Sequence, residues 1–303
     1  MSLGTLLDSR LLDNPVRHVV QNLMMRSPLG RVLARRYHTT GIEHDPERAL
    51  TVLRDLLSLL EEASVGLTDR VVIELGPGQT PDLLYLALLL GARRVVGLDV
   101  LPYLGEEVRV PSTYEALLRL IAQDDTHGWL RPRLDLRRFG DARRIPETSL
   151  QVRRFDGTRM PVDSETVDVV WSRSALEHVR EPAALVGEIR RVLKPGGVVC
   201  SIIDLRDHYS MQPGQDWLRF LRYSRPVWEL MTSHRGSYTN RLRSRDWEAL
   251  FADHGFERLV ARHTLAPLPP DFALERLHPA FRHYPLDELR VSWLMATHRK
   301  RAA

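Results

Sequence analysis

The sequence predicts an α/β chain built on one doubly wound, mostly parallel sheet of seven strands. Three observations carry this. From residue 70 onward, short β-branched runs alternate with helical stretches, the pattern of repeated βαβ units. The first run, Val71-Val72-Ile73-Glu74-Leu75, empties into a glycine turn and then a helix. The 303 residues, 43% hydrophobic and 27% charged, suffice to bury one substantial core with insertions.

Residues 1–66 read as a helical N-terminal extension that could serve as a lid. Within it Asp45-Pro46 makes a good N-cap and N1 pair, followed by Ala49, Val52, Leu53, Leu56, Leu57 and Leu60 at helical spacing. Residues 67–303 hold the sheet domain. Strands are expected at 70–75, 94–99, 150–155, 167–172 and 198–204, with helices at 81–90 and 182–193. The segment 101–149 is long for a βα connection and carries a helix-like stretch at 113–122. The segment 205–243 is also long, and rich in polar and aromatic side chains; insertions of that size are usually functional. A helix at 245–253, ended by Gly255, and strands near 256–264 and 288–298 complete the sheet, with one strand antiparallel.

The turn Gly76-Pro77-Gly78-Gln79-Thr80-Pro81 is the strongest local signal, with Thr80 and Pro81 placed as N-cap and N1. Glycine lets the backbone pass close to a ligand where a Cβ would collide. A nicotinamide-binding turn needs a third glycine to seat a pyrophosphate at the helix N-terminus. Here Pro81 stands in that place, so the loop suits a ligand without a pyrophosphate. Asp99 ends the second strand, 21 residues after Gly78, where a carboxylate can accept from ribose hydroxyls. Asp156-Gly157-Thr158 places another carboxylate after the third strand. Three such groups in order, each at a strand end, are hard to obtain by accident.

With these residues the chain resembles the small-molecule class I methyltransferases, among them those that methylate quinone precursors. The matching segments are Glu74-Leu75-Gly76-Pro77-Gly78, Asp99, Phe155-Asp156-Gly157-Thr158-Arg159-Met160-Pro161 and Val167-Asp168-Val169-Val170. They continue in Ser174-Ala175-Leu176-Glu177-His178-Val179 and Arg191-Val192-Leu193-Lys194-Pro195-Gly196-Gly197. The resemblance covers roughly residues 65–205 and is weak elsewhere. It implies a Rossmann-like fold and S-adenosylmethionine as cofactor. Glu74, Gly76 and Gly78 would cradle the methionine part and Asp99 the ribose. Asp156, with the Gly157 and Thr158 backbone, would face the adenine. Ser172 and Arg173 would give backbone contacts to the methionine end.

Methyl transfer from a sulfonium needs in-line approach of a nucleophile, and positioning can supply on the order of 7–11 kcal/mol of the barrier. A general base helps when the acceptor is a hydroxyl. His178, after the fourth strand, and His208, after the fifth, are the candidates. Asp207, Tyr209, Asn240 and Arg241 are candidate acceptor-binding residues, and Trp217, Phe220, Tyr223 and Trp228 could exclude water from the site. The expected reaction is O-methylation of a sugar, lipid-linked or secondary-metabolite group. No HExxH or cysteine cluster is present, and no metal is expected.

Other classes fare worse. The base-amino methyltransferase signature is missing after the fourth strand, which reads Trp171-Ser172-Arg173-Ser174. Eight arginines between 131 and 154 could face nucleic acid, yet only Phe139 interleaves them. A non-catalytic cofactor-binding relative is argued against by the intact motif residues. Residues 1–40 hold six arginines against two aspartates, and Val19, Val20, Leu23 and Met24 make 11–36 a conceivable membrane-surface helix; a lid is the plainer reading. The N-terminus has no h-region and no apolar run could span a bilayer, so a cytoplasmic protein is expected. The lone Cys200 excludes an intrachain disulfide. Oligomeric state is left open.

Overall fold

The computed structural model describes residues 15–27, 45–100, 108–123, 128–211, 214–235 and 238–302. Arg10, Arg31, Arg35 and Arg36 of the basic N-terminal segment, and the start of the 101–149 insertion, lie outside them. Seven strands form one sheet: β1 Val71–Leu75, β2 Arg94–Asp99, β3 Leu150–Arg154, β4 Val167–Arg173, β5 Leu193–Asp204, β6 Phe256–Leu265 and β7 Val291–Lys300. Their spatial order is β3-β2-β1-β4-β5-β7-β6. The first five run parallel, and β7 is antiparallel to both β5 and β6.

The helices are α1 Pro15–Arg26, α2 Pro46–Glu62, α3 Asp82–Leu89, α4 Pro111–Gln123, α5 Pro182–Val192, α6 Arg225–Thr232, α7 Ser244–Asp253 and α8 Leu286–Leu289. Side chains alternate across each strand, so the sheet offers an apolar surface on both faces. Val72, Val169, Trp171 and Cys200 share one core with α2, α3 and α4. Ile73, Val170, Val199 and Leu294 share the other with α5 and α7. Helix α2 is thus a full layer of the sandwich, not a detachable lid. The Asp45 side chain caps it by accepting from Arg48 N at 3.1 Å.

Two expected helix starts shift by one residue or so. Helix α3 begins at Asp82 with Pro81 as N-cap and no side-chain cap, so Thr80 does not serve. Helix α7 begins at Ser244 itself, and Asp246 accepts from Arg243 N at 2.7 Å. The final strand also starts later than expected, because Leu286–Leu289 winds into a short helical turn.

The 205–243 segment and parts of 268–289 build a third core of their own. It contains Phe220, Trp228, Met231, Tyr238, Tyr284 and Leu289. Helix α1 lies on α6 with its polar side inward. Asn22 Nδ2 donates to Leu230 O at 2.8 Å, and buried His18 meets Arg235 at 2.7 Å. Val16, Val20, Leu23 and Met24 point outward.

Candidate active site

Strand order reverses between β1 and β4: from β1 the chain crosses to β2 on one side, and later returns to β4 on the other. Ligands of open α/β sheets bind outside the carboxyl ends at such a switch point. At that edge Gly76 (φ 73°) and Gly78 (φ 69°) adopt left-handed backbone. A Cβ on Gly76 would lie 2.6 Å from the Ala175 Cβ, so the turn is pressed against the loop after β4. Gly76 N donates to Leu98 O at 2.9 Å, and Gly78 N to Asp99 Oδ2 at 3.1 Å. Asp99 therefore shapes the glycine turn from β2.

Three carboxyl groups converge behind this turn. Glu74 is 5% exposed and sits beside Trp171, its neighbour across β1 and β4. Burial, then Asp82 and Asp99, push its pKa up to about 8. Asp82 is itself buried in the first turn of α3. Gathering buried like charges is unfavourable on its own. Such a pocket favours a ligand that brings positive charge and disfavours one that brings phosphates. A sulfonium with an α-ammonium group fits this description; a dinucleotide does not.

Asp156 closes the turn after β3, where its Oδ1 accepts from Thr158 N at 3.0 Å and Thr158 Oγ1 at 2.6 Å. These bonds hold its carboxyl below the usual range. Ser172 Oγ donates to Leu75 O at 3.3 Å and ties β4 to β1. The guanidinium of Arg173 lies over Trp293 at 5.6 Å.

A second constellation stands on the far side of Ala175. Glu177, 2% exposed, and His178 lie in a single turn after β4, and His208 follows β5. The His178 and His208 rings meet edge to face, 4.8 Å between centroids. His178 Nδ1 lies 2.6 Å from Tyr238 O, which requires a proton on Nδ1 and leaves the lone pair on Nε2. Burial, then His208, depress its pKa to about 4, so the ring is neutral. For Glu177 burial dominates and raises the pKa to about 8, with His208 offsetting only part. His208 is pulled down by burial but pushed up further by Asp204 and Glu177, for a net rise. Asp204 is clamped by Arg206 at 2.7 and 2.8 Å and lies 3.4 Å from His208 Nε2.

Residues 135–201 match the family model for a methyltransferase domain, which spans β3 through most of β5. This segment of the chain is therefore similar to a methyltransferase domain. The seven-stranded order, with one antiparallel strand, is the Rossmann-like arrangement expected from the sequence. Among solved structures, the chain is similar to an S-adenosylmethionine-dependent methyltransferase from Mesorhizobium loti, at 16% identity and TM-score 0.46, over 81% of this chain and 97% of that one. It is also similar to the geranyl diphosphate C-methyltransferase of Streptomyces coelicolor, at 14% identity and TM-score 0.44, over 82% of this chain and 77% of that one. A search of curated proteins finds no match. Among the described residues no helix is long and apolar enough to cross a membrane.

The other sequence-named residues have engaged side chains. Asp207 is fully buried and accepts from Arg219 Nε at 2.9 Å. The Tyr209 ring packs under Arg235 at 4.0 Å, and burial raises its phenol well above the usual range. Asn240 Nδ2 donates to Leu176 O at 2.9 Å and Val179 O at 3.1 Å, while its N–H donates to Glu177 O at 2.8 Å. Arg241 is buried and donates to Tyr223 O at 2.7 Å. Phe220 and Trp228 lie inside the third core, and Trp217 Nε1 donates to Pro267 O at 3.1 Å. Of the basic run at 131–154, Arg138 donates to Leu88 and Ala92 carbonyls and Arg133 pairs with Glu61.

Sequence reasoning missed Asp82, Asp204 and Arg206, and quoted Glu177 only as part of a motif. The adjacent Glu177-His178 pair and the carboxylate ending β5 were the available signals. A cavity of about 360 Å³ also opens between Val71, Arg94 and Val167. Those residues start β1, β2 and β4, so it lies at the amino edge, away from the glycine turn.

Proposed function

We propose that the chain is a class I S-adenosylmethionine-dependent methyltransferase that moves the methyl group to a hydroxyl of a small or medium polar acceptor, a sugar, lipid-linked or secondary-metabolite group. The observation that carries this is the Glu177, His178 and His208 cluster beside the glycine turn. S-adenosylmethionine supplies a methyl already activated on a sulfonium, displaced in line by the acceptor oxygen. Gly76 and Gly78 would let the backbone lie against the methionine part, with Glu74 taking its ammonium. Asp99 would hold the ribose while it fixes the turn. Asp156, Gly157 and Thr158 would flank the adenine, and the Ser172 and Arg173 backbone the methionine end.

Acceptor chemistry falls to His178 and His208, where the hydroxyl proton would leave the site. A polar acceptor fits because these groups offer lone pairs in a buried place. We assign Asp207, Asn240 and Arg241 to holding this architecture, since each is spent on internal partners. Tyr209, whose hydroxyl has no hydrogen-bond partner, is the member of that set best able to meet an acceptor.

Incubating the full chain with labelled cofactor and pooled acceptors tests the reading, with mass identification of the product. A methyl ether is expected; a methylated base, amine or carbon would overturn it. Calorimetric titration gives a companion result. S-adenosylmethionine and its demethylated product should bind saturably, and NAD should not. Asp99→Ala should weaken cofactor binding by about 1.5–3 kcal/mol, the value typical of hydrogen bonds to a charged group. Unchanged affinity in a folded variant would confine Asp99 to shaping the turn.

A further inference from the structure

We propose that Glu177, His178 and His208 form a binding site for one divalent first-row transition cation, such as zinc or iron(II). Each offers a ligand atom, and the three atoms lie within 4.8 Å of one another. Donors about 2.1 Å from a common ion stand roughly 3.4 Å apart, so side-chain shifts of about 1 Å close the set.

The independent sign is Glu177. It is 2% exposed, yet neither carboxylate oxygen has a hydrogen-bond partner. Buried carboxylates are almost always paired or bound to a metal. Of the nearby arginines, Arg206 is committed to Asp204 through two bonds and Arg173 lies over the Trp293 ring.

The surroundings are those of a ligand set. Metal-bound histidines usually give their second ring nitrogen to a carbonyl or carboxylate. His178 Nδ1 gives its proton to Tyr238 O, which leaves Nε2 for an ion. His208 Nε2 is buried without a hydrogen-bond partner, 3.4 Å from Asp204. Asn240 holds the Leu176–Val179 turn at three points, so two of the ligands are fixed in advance. Two imidazoles and a carboxylate suit a transition ion more than calcium or magnesium, and three protein ligands leave a position open.

The role assigned to that open position rests on the methyl-transfer reading above. An acceptor hydroxyl bound there would be acidified, as bound water is, from a pKa of 15.7 to about 7. With an ion bound, the two imidazoles serve as ligands in place of the base role given above, and the proton leaves to bulk water. The oxygen lone pair then forms the new O–C bond as the C–S bond breaks, its electrons passing to sulfur. No oxidant or reductant is required.

The test uses the full-length, untagged chain. Elemental mass spectrometry of protein purified without chelator should find one transition ion per chain. Chelator-stripped chain titrated with Co²⁺ alone should develop visible ligand-field bands, which Zn²⁺ then displaces. Glu177→Gln preserves shape, and His208→Ala removes one donor; circular dichroism checks that both remain folded. Each should weaken Co²⁺ binding by about tenfold to a hundredfold or more, the range that even outer partners of a metal ligand command. No ion and no bands in wild type, or bands that persist equally in both folded variants, would overturn the site. Calorimetry with S-adenosylmethionine on the same samples separates the two readings. Intact cofactor binding without an ion sinks only the cation, whereas its loss in wild type sinks the methyltransferase site itself.

Discussion

Gly76→Ala is expected to destabilise the fold by about 2–5 kcal/mol and to abolish measurable cofactor binding, combining left-handed strain of about 1–2 kcal/mol with an overpacking cost of about 1–3 kcal/mol. The two terms have separate origins. Strain comes from the backbone, because Gly76 holds φ 73°. Overpacking comes from Ala175, whose Cβ would lie 2.6 Å from the new methyl. Gly78 isolates the first term, since it holds φ 69° but a Cβ there meets nothing within 4 Å. Gly78→Ala should therefore lose only the strain. Ala175→Gly in the Gly76→Ala background isolates the second, because the next atom, Ala175 Cα, is 3.9 Å away. Thermal unfolding should show the double variant recovering most of the overpacking cost. If it recovers nothing, the contact with the loop after β4 is not what fixes Gly76. Cofactor affinity is the sharper readout, since relieving the clash by opening the turn would also move the Glu177–His178 segment.

The parts of this molecule legible in the sequence are those in which local pattern and tertiary role coincide. The strand at Val71–Leu75 is both β-branched and buried on both faces, so its composition gives it away. Helix α2 carries its cap and its apolar stripe in one stretch of residues. Asp99 stands at a strand end where chain order alone predicts it. The cluster at His208 was only half legible. Histidine after a strand is visible, but its burial depends on how residues 205–243 fold. That segment packs a core of its own through Trp228, Phe220 and Tyr238, contacts between residues with no common period. Arg241 reads as an acceptor-binding residue, because arginine is seldom buried. Here Arg243 is fully buried and donates to the carbonyls of Leu205 and Val291, replacing backbone partners the irregular chain lacks. Helix α1 misled in the opposite sense, since of its apolar residues Val19 packs on the third core while Val16, Val20, Leu23 and Met24 face outward. His18 and Asn22 bind it to α6 instead, a choice set by the partner surface.

His208→Ala is expected to lower the turnover number by roughly 10²–10⁴, the range for loss of a group that handles a proton in the transition state. Cofactor affinity should stay within about threefold, because the imidazole makes no contact with the glycine turn that would hold the cofactor. That split between turnover and affinity is the diagnostic. His208 clusters with Glu177 and His178, whereas Ala175 is the residue that packs on Gly76, so loss of the imidazole removes no contact of the glycine turn. A merely structural histidine would behave differently. Its side chain is 12% exposed and meets the His178 ring edge to face, so its loss would leave a void beside that ring. Stability would fall, and cofactor affinity with it if the Ala175 loop shifted. His208→Gln controls for this by filling the space without an imidazole, and it should be folded and nearly as slow as the alanine variant. Rescue by glutamine to wild-type turnover would show that volume alone matters there. His178→Asn provides the second comparison. Its Nδ2 can still donate to Tyr238 O while no imidazole nitrogen faces the cluster, so it should match His208→Gln in turnover. If turnover survives both substitutions once the acceptor is in hand, the acceptor proton leaves elsewhere and the cluster is architecture.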